Sequence, residues 1–311
     1  MSKNHLPKFE KAFLLPKHWG FWLAVGLFWL ILCLPYPVLR HIGNGLGSLF
    51  SKLKVGKRRA KIARRNLELA FPMMPEVERE RILQENLKSV GMAIIETGMA
   101  WFWSDRRIKK WSRTEGLEHL KNHAKDGVIL VGIHFLTLEL GARIVGIHHQ
   151  GVGIYRPNDS AMFNWLQVWG RLRSNKDMVD RKDLRSMIRA LKQGEAIWYA
   201  PDHDYGRKNA VFVPFFAVKD AATTSGSAYL LRASPTSKVI PFAPLRNRDG
   251  SGYTVTISPA VDFSDLDNAT DIAIRMNKAV EKEIMKGVEQ YMWLHRRFKT
   301  RPDENSPSLY D

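Results

Sequence analysis

"GVILVGIHFLTLELGAR" occupies Gly127 to Arg143, and its first half decides the fold. Gly127 to Ile133 is a short apolar run bounded by glycine, the pattern of a strand covered on both faces. Further runs of this kind follow at "GVGIY" (Gly151 to Tyr155), "EAIWYA" (Glu195 to Ala200), "SKVIPFAPL" (Ser237 to Leu245) and "YTVTIS" (Tyr253 to Ser258). Helical patterns alternate with them. "DLRSMIRALKQG" (Asp183 to Gly194) carries a capping Asp, a stripe of Leu184, Met187, Ile188 and Leu191, and a closing glycine. Ile272, Met276, Val280, Ile284 and Val288 recur every fourth residue, marking a late amphipathic helix. At least five strands alternating with helices predict an α/β fold: one mixed, mostly parallel sheet with helices on both faces.

Upstream, Glu76 to Trp103 reads as a long helix ending in the aromatic "GMAWFW", suited to a membrane surface, an apolar groove or the core. No repeat or linker divides the body, and only the tail after Pro302 reads as loose.

The chain has 311 residues and a formal charge of +17, from 48 Lys and Arg against 31 Asp and Glu. Such a balance points to anionic partners. Most of the excess lies in residues 1–65, where 13 Lys and Arg face the single acid Glu10. Cys33 is the only cysteine, so no intrachain disulfide can form. "WGFWLAVGLFWLILCLPYPVL" (Trp19 to Leu39) carries no charge, close to the roughly 20 apolar residues that cross a bilayer as a helix. Pro35 and Pro37 are expected to end that helix near Leu34. We expect a membrane anchor over residues 1–45, spanning or embedded at one face, and a body over 46–311. "KLKVGKRRAKIARR" (Lys52 to Arg65) follows, with eight basic residues and no acid. Beside an anchor it reads as a patch for anionic lipid head groups, which places the body on the cytoplasmic side. RNA binding is the competing reading, and no nucleic-acid recognition module accompanies the basic run.

Candidate chemistry gathers at the strand ends, where open α/β sheets bind ligands. His134 stands directly after its strand, and Glu139 lies five positions further on. On one straight helix five residues turn about 500°, so the two side chains diverge. They meet only if His134 lies on the strand-to-helix turn and Glu139 on the first helical turn. A carboxylate on one imidazole nitrogen then fixes the tautomer, and the other nitrogen can take a proton. No nucleophile elbow of the G-x-S-x-G type stands nearby, so such a base would act on a substrate hydroxyl. A core histidine beside a surface glutamate is the plain alternative. Arg156, after the next strand, is placed to hold an anion such as phosphate or to make a structural ion pair. Asp202, His203 and Asp204 are neighbours at a third strand end. Three adjacent residues rarely converge on one ion, and no metal is expected there. "HRRFKTR" (His295 to Arg301) can bind phosphates or an acidic carrier, and by default is a solvated face.

Taken in order, "VGIHFLTLELGAR", "YRPND", "WGRLRSNK", "YAPDHDYG", "VFVPFFAVKDAATTSG" and "EQYMWLHRRFKTRP" resemble the late acyltransferases of lipid A biosynthesis. These form a branch of the His-x4-Asp/Glu glycerolipid acyltransferases, and the resemblance runs from about Pro7 to Pro302. It implies transfer of an acyl chain, laurate or a sibling's myristate or palmitoleate, from acyl carrier protein. The acceptor would be a hydroxyacyl chain of Kdo-lipid IVA at the inner membrane, with no cofactor and no acyl-enzyme. It implies His134 as general base, Glu139 as its orienting partner and Arg156 as a phosphate ligand. Where the wider superfamily has Pro-Glu-Gly, this chain has Pro201, Asp202 and His203, so the phosphate-contacting glycine is missing and Asp202 stays a candidate substrate-binding residue. The resemblance also implies that "VIPFAP" shapes the acyl groove.

Overall fold

A computed structural model describes residues 6–123 and 125–310. Four helices come first: α1 (Trp19–Leu32), α2 (Tyr36–Lys52), α3 (Lys54–Ala70) and α4 (Glu76–Phe102). Then follow α5 (Asp105–Lys110), β1 (Ser112–Glu115), α6 (Leu117–Lys121), β2 (Val128–Gly132), α7 (Leu138–His148), β3 (Gly151–Tyr155) and α8 (Ala161–Arg171). The chain continues through β4 (Asn175–Asp180), α9 (Leu184–Lys192), β5 (Ala196–Tyr199), β6 (Ala210–Phe215), β7 (Val218–Thr224) and α10 (Gly226–Ala233). It closes with β8 (Lys238–Arg246), β9 (Tyr253–Ile257) and α11 (Ala269–Ile284).

Seven strands form one sheet in the order β1-β9-β8-β2-β5-β3-β4. All neighbours are parallel except β8 and β9, which confirms the expected mixed, mostly parallel sheet. β6 and β7 form a separate antiparallel hairpin. The central β2 is buried along its whole length and serves both faces. Ile129 and Val131 join the core shared with α3, the first half of α4, α9, α10 and α11, while Val128 and Leu130 join the core shared with α1, α2, the second half of α4 and α7. This is why β2 reads as a continuous apolar run and not as an alternating one.

The N-terminal apolar stretch is divided. α1 ends at Leu32 because Pro35 cannot continue it, and α2 starts at Tyr36 with Pro37 in its first turn. Fourteen residues rise about 21 Å, short of the roughly 30 Å hydrocarbon core of a bilayer. Among the described residues no helix is long and apolar enough to cross a membrane, so of the two forms expected for an anchor over 19–39, spanning or embedded at one face, the spanning one is not met. The expected boundary at residue 45 falls inside α2. α2 lies against α4 at backbone distance. A Cβ on Gly91 would stand 2.1 Å from the carbonyl oxygen of Gly43 and from the amide of Gly47, so the crossing needs glycines there.

Two buried asparagines tie these helices to the C-terminal segment. Asn86 of α4 donates to the carbonyls of Glu289 and Tyr291, at 2.9 and 2.7 Å. Asn66 of α3 donates to the carbonyls of Trp293 and His295, at 2.6 and 2.7 Å. The segment from Glu289 to His295, a strap across the helices, is thus gripped at alternate carbonyls. The tail after Pro302, loose by composition, is also held: Tyr310 is buried and its hydroxyl bonds Asn66 and accepts from the amide of Phe298.

Candidate active site

The loop leaving β2 carries His134, and the strap lies alongside it. The amide of Met292 donates to the carbonyl of His134 at 3.0 Å, and the amide of Leu136 donates to that of Gln290 at 2.8 Å. Phe135 and Tyr291 form an isolated antiparallel bridge. The His134 backbone is therefore held by sheet-like bonds although it belongs to no strand.

Asp202, three residues past β5, is fully buried and meets His134 twice. Its Oδ2 accepts the backbone N–H of His134 at 2.9 Å, and its Oδ1 accepts from Nδ1 at 2.7 Å. Burial alone would raise the Asp202 carboxyl; the charge and hydrogen bonds of His134 outweigh it and hold the group well below the ordinary carboxylate range. With Nδ1 given to Asp202, Nε2 is the nitrogen left for chemistry, on a side chain 26% exposed.

Glu139 sits on the first turn of α7, the placement under which it could have met His134, yet it turns away from the imidazole. Arg171 of α8 grips it from Nε to Oε1 at 2.9 Å and from Nη2 to Oε2 at 2.7 Å. The indole of Trp101 donates to Oε1 at 2.8 Å. Burial opposes ionisation of Glu139, but Arg171 and Trp101 prevail and its carboxyl lies below its ordinary value. The carboxylate on His134 is thus Asp202, 68 positions away and brought in by the β2–β5 pairing. Arg171 carried no assigned role in the sequence, whereas Trp101 belongs to the aromatic "GMAWFW" run expected at a membrane surface, an apolar groove or the core, and it lines a cleft beside His134. Arg171 stood in the quoted "WGRLRSNK" block, but nothing in the sequence linked it to Glu139.

His203 stacks on His134, with ring centroids 3.5 Å apart and planes 12° from parallel. Its other neighbour is His295 from the strap, 4.5 Å away. Burial, then repulsion from any charge on His134 and His295 and from the Arg297 guanidinium, push the His203 imidazole down to about 3 despite the opposing pull of Asp202. His203 is neutral at working pH. Ligand atoms of His134, Asp202 and His203 lie within 4.8 Å of one another. The two imidazoles lie face to face in nearly parallel planes, however, and His134 Nδ1 and Asp202 Oδ1 already bond each other while Oδ2 holds the His134 amide, which leaves too few free ligand atoms on the three residues for a metal.

A cleft of about 340 Å³ opens beside His134 and is lined by Glu139, Arg171, Trp101, Arg156 and Leu138 among others. That volume suits a small-molecule site. Arg156 stands at its rim, 64% exposed and 3.6 Å from Asp159. The cleft runs inward between α7, α8 and the sheet to Met178 and Trp198. None of the "VIPFAP" residues lines it, because β8 lies on the other side of β2; the expected groove-shaping role does not hold for this cleft. "HRRFKTR" is not a uniformly solvated face either. Arg297 is 2% exposed, 4.4 Å from the centre of the Phe215 ring and bonded to the carbonyl of Ala222.

Residues 6–300 match the family model described as bacterial lipid A biosynthesis acyltransferase. The chain is 72% identical, over the full length of both, to a lipid A biosynthesis acyltransferase of Haemophilus influenzae. It is 56% identical to the lipid A biosynthesis lauroyltransferase of Escherichia coli, covering 99% of this chain and all of that one. It is 47% identical to the palmitoleoyltransferase of the same organism, covering 97% and 98%. The strand-end imidazole with its buried carboxylate and adjoining cleft therefore belongs to an acyltransferase, and the chain is a member of the bacterial lipid A biosynthesis acyltransferase family.

Proposed function

We propose that this enzyme transfers a fatty acyl chain, laurate first among the candidates, from acyl carrier protein to a hydroxyacyl chain of Kdo-lipid IVA. The observation that carries the mechanism is the bond from His134 Nδ1 to Asp202. It orients the ring so that Nε2 takes the proton of the acceptor hydroxyl. The resulting oxygen attacks the thioester carbonyl, a tetrahedral oxyanion forms, and its collapse breaks the C–S bond; the carrier thiolate leaves and takes the proton held on Nε2, which restores the neutral imidazole. No side-chain nucleophile takes part, so no acyl-enzyme forms. Asp202 stabilises the imidazolium that appears during the step, the part a buried carboxylate plays in a triad. Glu139 does not touch the base; with Arg171 it builds the wall of the cleft next to it. Arg156, exposed at the rim, is the residue we assign to an acceptor phosphate. Palmitoleate is the second candidate chain, since a relative named for it is 47% identical.

We place the enzyme on the cytoplasmic face of the inner membrane. α1 presents Trp19, Leu23, Leu27 and Leu30 to the outside, and α2 presents Leu46 and Leu49. Lys52, Lys54, Lys57, Arg58 and Lys61 follow, all exposed. An apolar face beside a basic one suits a protein lying in one leaflet. Purified enzyme, Kdo-lipid IVA and acyl carrier proteins loaded with single chain lengths test the function by mass spectrometry. We expect one added acyl chain with wild type and none with His134→Ala. Equal transfer by both enzymes would refute the assigned base.

A further inference from the structure

The inner end of the cleft is built in one row across the sheet. Gly153 of β3 pairs in register with Trp198 of β5 on one side and with Met178 of β4 on the other. All three line the cleft. Gly153 leaves a notch between two large neighbours, and the thioether of Met178 fills it: a Cβ on Gly153 would lie 2.5 Å from Met178 Sδ and 2.8 Å from Cε. Trp198 closes the adjoining space, with its indole nitrogen 3.2 Å from where a Cβ on Gly151 would stand. Met178 is 2% exposed. An unbranched thioether is a side chain whose reach changes readily with substitution. Two charged groups on the way are paired, Glu139 with Arg171 and Arg143 with Asp105, and Leu138, Ala142, Ile154, Met178 and Trp198 supply apolar lining, so a hydrocarbon chain can follow that side of the passage from His134 inward.

We propose that the cleft receives the fatty chain being transferred and that Met178, seated over Gly153, is the stop that sets its length. This rests on the acyltransferase reading of the same site. It places the terminal carbons of the chain against the thioether, with the reacting carbonyl near His134. Relatives named for lauroyl and palmitoleoyl transfer show that chain length varies within the family.

The test replaces the enzyme in its host with Met178→Ala, Met178→Val and Met178→Phe variants and reads lipid A by mass spectrometry. Thermal melts of the purified proteins confirm folding. Val168→Ala is the control, because Val168 packs beside Met178 in the core but does not line the cleft. A methylene in a snug apolar pocket is worth about tenfold or more in discrimination. We therefore expect the ratio of longer to shorter added chains to rise at least about tenfold in Met178→Ala, less in Met178→Val, and to fall in Met178→Phe. The control should match wild type. Unchanged ratios in the folded variants, or a folded Met178→Ala that transfers no chain at all, overturn the proposal, as does an equal shift in Val168→Ala. Met178→Val supplies the reading should the Ala variant fail to fold. Absence of any added chain with wild type would instead count against the acyltransferase reading itself.

Discussion

Asp202 contacts His134 through both oxygens, one on the ring at Nδ1 and one on the backbone amide. Because the same carboxylate fixes the ring and the loop that carries it, its loss should affect chemistry more than substrate binding. Asp202→Asn is expected to lower kcat by about 10³ to 10⁴ with a small change in KM, since the amide favours the wrong tautomer. Steady-state kinetics on the folded variant decide it; a kcat within about threefold of wild type would remove Asp202 from the mechanism.

Glu139 and Arg171 form a fork-to-fork pair, with the two side chains 20% and 25% exposed. Breaking it from either side strands a partly buried charge, so Glu139→Ala and Arg171→Ala are each expected to cost about 2 kcal/mol of stability. The double variant should be little worse than either alone, a coupling within the usual range of about 1 to 3 kcal/mol. Both single variants should also lose activity, because the cleft wall beside His134 shifts. Were Glu139 the direct partner of His134, Arg171→Ala would instead leave activity intact. Denaturant titrations and rate measurements on the four proteins separate the two accounts.

Asn86 donates to the carbonyls of Glu289 and Tyr291 from a fully buried position. Asn86→Ala leaves two buried carbonyls without that donor, an expected loss of about 2 to 4 kcal/mol. It should also slow turnover, since the loosened strap holds the His134 carbonyl through Met292. A variant that unfolds in urea like wild type and turns over normally would show that the strap is passive.

His203 provides the pH test. Its folded imidazole is pushed down to about 3, whereas in the unfolded chain it titrates near its ordinary value of about 6.5. Below that pH the unfolded chain binds a proton that the folded protein refuses. The stability contribution is therefore complete above about 6.5 and is lost as pH falls from there toward 3. At pH 5 the loss is on the order of 2 kcal/mol. Melting temperatures of wild type and His203→Asn from pH 8 to pH 5 should show a steeper acid decline in wild type; parallel curves would contradict the burial argument.

Leu23 and Leu27 stand 65% and 53% exposed on α1. If this face lies in a leaflet, each leucine contributes about 1.5 to 3 kcal/mol to partitioning. Leu23→Asp combined with Leu27→Asp should lower vesicle binding at least tenfold in flotation assays while leaving the melting temperature in place. Undiminished flotation would assign membrane contact to another surface.

Much of this protein was legible in the residues alone. The apolar run Val128 to Gly132 announced a strand buried on both faces, because a run this short, rich in valine and isoleucine and bounded by glycine, fits a doubly covered strand better than a helix. Asp183 and the stripe behind it announced α9, since caps and helical periodicity are local properties. β1 and β4 escaped notice: "SRTE" and "NKDMVD" are too polar to show a strand period, and only the neighbours that pair with them make them strands. The candidate site divides in the same way. The position of His134 at a strand end follows from local pattern, whereas Glu139 on the next helical turn was only the condition under which the two could meet. Which carboxylate reaches the imidazole does not, because it depends on β2 pairing with β5 and on α8 bringing Arg171 to Glu139. Local sequence determines what an element is and which residues lie at its ends. The direction of a side chain at those ends is settled by partners many positions away, and that only the tertiary structure decided.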